Sequence, residues 1–71
     1  MSLNAPNLAD LVREQITVHT GRRVQDLVVE VGPARITLRG RAKSFHVKQL
    51  AQHGVRVVAP TAPLQNAIVV E

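Results

Sequence analysis

Arg35, Thr37, Arg39 and Arg41 occupy alternate positions of one short segment, and Lys43 follows two residues later. In an extended chain alternate side chains share a face, so this spacing builds a row of cations. A guanidinium presents planar donors that fit carboxylates and phosphates, so the chemistry on offer is recognition of anions rather than bond-making. Asp26 and Glu30 on the preceding segment are placed to neutralise part of the row. The candidate anion-binding patch is therefore Arg35, Arg39, Arg41 and Lys43, with Arg22 and Arg23 as further cations upstream.

Other chemistries find little support. With no cysteine there is no thiolate nucleophile, no disulfide and no zinc–thiolate site. Ser44 reads as a helix cap, and the five acids are scattered without a pair that has a reason to titrate abnormally. His46 and His53 lie seven positions apart on one predicted helix. That is about 10 Å along its axis, too far to chelate one ion. Glycine-rich nucleotide-binding signatures are absent. The sequence thus predicts a chain that is not an enzyme, with no metal site and no cofactor.

The cation row must be held by a sheet. Gln25 to Gly40 reads as two alternating runs joined by Gly32-Pro33. A two-residue turn there sets Val31 against Ala34, Val29 against Ile36 and Leu27 against Leu38 on one face, with Glu30 opposite Arg35 and Asp26 opposite Arg39 on the other. A four-residue loop keeps the same facing, because the side-chain period is two, and changes only the partners.

Upstream, Asn7 can cap a first helix in which Leu8, Leu11, Val12 and Ile16 follow helical spacing, with Gly21 as its exit. Downstream, Ser44 can cap a second helix whose stripe is Val47, Leu50, Ala51, Val55 and Val58. Gly54 falls inside that stripe, which predicts either close packing or fraying, and the run from 55 to 58 also has strand propensity. Ala59 to Pro63 is a loop, since its two prolines fit neither regular element. Leu64 to Val70 reads as a third strand, Asn66 inward and bonded to backbone in the preceding loop, and Gly40 is read as the end of the second. The fold class is α+β, a two-layer sandwich in the order α-β-β-α-β, with a three-stranded mixed sheet and two helices on one face. Residues 1–6 are expected to be disordered and 7–71 to form the single domain.

At 71 residues the chain has little core in reserve, and Phe45 is its only aromatic. The net charge of +4 and pI of 11.3 favour anionic partners. No segment approaches the roughly 20 apolar residues of a membrane span. The basic opening of an export signal is also missing. A complete chain would then be cytoplasmic, and one that has lost a leader would belong to the cell envelope.

The hairpin V-E-V-G-P-A-R-I-T-L-R-G, the helical V-K-Q-L-A-Q-H-G-V and the closing L-Q-N-A-I-V-V resemble, in order, the motifs of the BON domain family over about residues 7 to 71. The loop before the last strand departs from the usual Gly-Val pair, reading Ala62-Pro63-Leu64. The resemblance implies a non-enzymatic module associated with phospholipid or membrane attachment and envelope stress, with no catalytic residues to assign. It makes an anionic phospholipid surface or a partner protein the expected ligand. A nucleic-acid partner is the alternative raised by the charge, though the chain lacks the aromatic stacking platforms of most single-strand binders. A second alternative is a homodimeric assembly domain that associates through Val28, Ala67 and Val69 on the uncovered side of the sheet.

Overall fold

The computed structural model describes residues 7–71; the expected disorder of 1–6 lies outside the described residues. Helix α1 spans Leu8–Thr20. Its first turn is closed by Asn7, whose Oδ1 accepts the Asp10 N–H at 2.8 Å. Gly21 ends it in the left-handed conformation, φ 60°. The Arg22 N–H then reaches the Thr17 carbonyl and the Gly21 N–H the Val18 carbonyl, the paired bonds of a Schellman motif.

Strands β1 (Val24–Val31), β2 (Ile36–Ala42) and β3 (Leu64–Val70) form one sheet with β2 in the centre. β1 is antiparallel and β3 parallel to β2. Helix α2 (Phe45–Val58) is the crossover between β2 and β3, and Ser44 Oγ accepts the Val47 N–H at its start. The architecture is thus α+β in the order α-β-β-α-β. One core holds it together. Val12 and Ile16 of α1, Val47, Ala51 and Val55 of α2, and Val29, Ile36, Leu38, Ala42 and Ile68 of the sheet are all buried in one cluster.

Within that frame the hairpin closes with the longer of the two predicted loops. Gly32 to Arg35 lie outside the strands, the Gly32 N–H donates to the Arg35 carbonyl at 2.9 Å, and Val31 pairs with Ile36 and Val29 with Leu38. Val29, Ile36, Leu38, Arg39 and Arg41 keep their predicted faces, and the partners of Val29, Glu30 and Val31 each move by two positions. Arg35 consequently sits in the loop rather than on the strand.

A bulge interrupts β1 between Gln25 and Val28. Asp26 there has φ 54°, a conformation that its short polar side chain tolerates. The extra residue shifts the alternation, so Val24 pairs with Ala42 and turns partly into the core. Gly40 faces the bulge with φ 154°, and a Cβ on it would lie 2.9 Å from the Gln25 carbonyl oxygen. It does not end β2, as its type suggested; the strand runs two residues further, and glycine is required there by the backbone crossing opposite it.

α2 remains helical through Val58, so the strand propensity of 55–58 is overridden by burial of Val55 on the core side. Gly54 is a close-packing site: a Cβ would stand 2.9 Å from the Gln15 carbonyl carbon and oxygen and from Ile16 Cα. Three expected core residues are displaced. Leu8 and Leu11 are exposed and Leu50 only half-buried, because the helices meet backbone to backbone at Gly54 and those side chains turn outward. The helix end is tied to the proline loop by Arg56, whose guanidinium donates to the Ala62 carbonyl at 2.6 Å.

Candidate functional site

β2 places Thr37, Arg39 and Arg41 on the face that no helix covers. The register builds three rows across it: Glu30–Thr37–Gln65, Val28–Arg39–Ala67 and Gln25–Arg41–Val69. Arg39 Nε donates to Glu30 at 2.5 Å, and Arg41 donates to Asp26 at 2.7 Å with Glu71 at 3.9 Å on its other side. The predicted partners, Glu30 with Arg35 and Asp26 with Arg39, are corrected by the longer loop. Exposed pairs of this kind contribute at most about 1 kcal/mol each to stability. Their effect on recognition is larger, because they cancel the charge of the central row.

The four residues of the candidate patch are therefore not brought together as a cationic surface. Arg39 and Arg41 are ion-paired, while Arg35 and Lys43 stand at opposite ends of β2, roughly 25 Å apart at the rise of an extended strand. The association face is similarly divided. Ala67 and Val69 are close together on β3, but Arg39 separates them from Val28 on β1.

A different grouping forms at one end of the sheet. Val24 pairs with Ala42 and Ala42 with Val70, so the entry to β1 and the exits from β2 and β3 coincide. Arg22 and Arg23 precede Val24, and Lys43 follows Ala42. All three are exposed, and none has an acidic partner among the described residues. Arg23 is oriented by a 2.6 Å bond from its Nε to the Thr20 carbonyl. Phe45 opens α2 at the same end and is 61% exposed. It lies nine positions before Gly54, about two and a half turns, and so points away from α1.

Sequence reasoning did not single out Phe45. The signal was available: a large apolar residue directly after a helix cap, out of phase with the buried stripe, has no core to enter. Asn66 is inward as expected, but its partners differ. Its Nδ2 donates to the Lys48 carbonyl of α2 at 3.0 Å and its Oδ1 accepts the Ile68 N–H at 3.3 Å, so it ties helix to strand rather than closing the loop. Among the described residues there is no pocket, no group of three or more potential metal-ligating side chains, and no helix long and apolar enough to cross a membrane.

Comparison with protein-family models, with curated proteins and with solved structures finds no match to the chain. The likeness to BON domains rests on the residues of the chain alone.

Proposed function

We propose that the protein is a non-enzymatic attachment module of BON type that contacts an anionic phospholipid surface with one end of its sheet. The observation that carries this reading is the exposed Phe45 standing at the same end as Arg22, Arg23 and Lys43, which have no acidic partner among the described residues. Each cation near an anionic membrane contributes about 1 kcal/mol. Burying the phenyl ring adds about 2 kcal/mol. Together these give about 5 kcal/mol, a sub-millimolar affinity suited to attachment in several copies or beside other modules.

Co-sedimentation with phosphatidylglycerol-containing and with neutral vesicles tests this. Binding is expected to the anionic vesicles only, to fall as salt rises, and to weaken about thirtyfold in Phe45→Ala and by at least that much in an Arg22→Glu/Lys43→Glu double variant. Equal absence of binding to both vesicle types overturns the lipid reading. Binding to oligonucleotides in place of vesicles would assign the same cations to phosphate backbones instead.

A further inference from the structure

β1 and β3 are the two edges of the sheet, and they are finished differently. The ladder between β2 and β3 is bracketed by the Ile36 N–H donating to the Pro63 carbonyl and the Glu71 N–H donating to the Ala42 carbonyl, each at 2.9 Å. With that register the odd-numbered residues of β3 turn their main chain toward β2, and Leu64, Asn66, Ile68 and Val70 turn theirs outward. One outward group is satisfied locally, the Ile68 N–H, which reaches Asn66 Oδ1 at 3.3 Å. The other main-chain N–H and C=O groups of these four residues have no partner among the described residues.

An edge of this kind pairs with another extended chain unless something blocks it. β1 is blocked: a bulge breaks its register between Gln25 and Val28, Asp26 stands there with φ 54°, and Glu30 adds a second acid. β3 has none of these devices. Its seven residues include no Lys, Arg, Asp, Glu, Pro or Gly, and its register against β2 runs unbroken from Leu64 to Val70.

We infer that β3 pairs antiparallel with β3 of a second copy of the chain, about a two-fold axis through Ala67, in one continuous sheet of order β1-β2-β3-β3-β2-β1. The symmetry of the strand identifies the occupant. Its outward residues are centred on position 67, so Leu64 meets Val70 and Asn66 meets Ile68 in both halves, and each outward donor faces an acceptor. Leu64 and Ile68 face the core, so this register sets both helical layers on one side of the joined sheet, with Gln65, Ala67 and Val69 on the other. The seam contains no charged side chain, so two chains of +4 meet there without like charges directly opposed. Both copies of β3 are used and the blocked β1 ends the sheet on each side, so assembly stops at two.

The contact is rich in hydrogen bonds and poor in apolar area. Its full overlap forms up to about eight main-chain bonds. A typical interface has about ten and a far larger area, which puts this dimer in the weak, concentration-dependent class. One bond is exchanged rather than gained, since the Ile68 N–H must leave Asn66 Oδ1. The proposal goes beyond lipid attachment and rests on the main chain of β3 rather than on Arg22, Arg23, Lys43 and Phe45.

Analytical ultracentrifugation from micromolar to millimolar protein tests it. Wild type is expected to shift toward twice the 7.7 kDa chain mass as concentration rises. High salt should strengthen the dimer by screening the repulsion between like-charged chains, the opposite of its effect on vesicle binding. Ala67→Lys and Ala67→Glu, each checked for native circular dichroism, set like charges across the axis and are expected to weaken the dimer at least tenfold, and mixing them to restore it. Val57→Lys on the outer side of α2 is expected to leave it unchanged. Hydrogen exchange at the Asn66 and Val70 amides should slow between micromolar and millimolar protein, while the Ala67 amide, bonded toward β2, stays slow at both. A wild-type monomer at millimolar concentration overturns the proposal and leaves the edge to a strand of another protein. An Ala67→Lys and Ala67→Glu mixture that stays monomeric overturns the two-fold register, and assembly beyond the dimer overturns the closure at β1. Vesicle binding by the monomeric Ala67→Lys variant separates the two functional claims.

Discussion

Replacing Gly54 with alanine sets two effects against each other on one helix. Alanine in a helix interior is favoured over glycine by about 1 kcal/mol, so propensity alone predicts stabilisation. At this position the new Cβ would stand 2.9 Å from three backbone atoms of α1, Gln15 C and O and Ile16 Cα. Backbone cannot rotate aside as a side chain can, so the helices must part by about 0.5 Å to restore ordinary contact, and a gap of that size forfeits about a quarter of the dispersion energy across the junction. Overpacking of this type costs about 1–3 kcal/mol, and with obstacles on the main chain the upper half of that range applies. The net expectation is a loss of about 1–2 kcal/mol, or a fall in Tm of roughly 5–15 °C for a domain this small. Urea melts followed by far-ultraviolet circular dichroism measure it, with Gln52→Ala on the exposed face of α2 as the reference for propensity alone. Gly54→Ala equal to or more stable than wild type would refute the close-crossing argument.

Two further substitutions probe the sheet. Gly40→Ala combines a left-handed φ with a Cβ 2.9 Å from the Gln25 carbonyl oxygen and Val24 Cγ1. It should lower the urea-derived stability by about 3 kcal/mol, and a loss under about 1 kcal/mol would mean that the bulge relaxes freely. Asn66→Ala removes the partners of the Lys48 carbonyl and the Ile68 N–H. A loss of about 1–2 kcal/mol is expected, together with faster hydrogen exchange at the Ile68 amide, and unchanged exchange there would show that the amide bridge is not holding the strand.

Much of this arrangement was legible in the residues before any coordinates. Alternation in β1 and β2 assigned Val29, Ile36 and Leu38 to the core and Arg39 and Arg41 to the open face, since side-chain facing depends only on a period of two. The caps Asn7, Gly21 and Ser44 each satisfy a local hydrogen-bonding need and so declared themselves locally. Loop length was open, and with it the partners of Glu30 and Asp26, because both closures bury the same residues. Leu8, Leu11 and Leu50 were assigned to the core because leucine at helical spacing fits either of two adjacent stripes, and nothing local chooses between them.

The chain by itself determined its elements, their order and the face each strand side chain takes, because these follow from periodicity and capping within a few residues. Tertiary structure alone decided where charges cancel and where they remain. The four-residue turn and the bulge at Asp26 moved the expected ion pairs from Arg35 and Arg39 to Arg39 and Arg41, and the meeting of three strand ends gathered Arg22, Arg23, Lys43 and Phe45, residues from separate elements. The crossing at Gly54 likewise chose which stripe of each helix faces solvent. In each case the outcome rests on distances between segments far apart in sequence, set by the packing of the whole core.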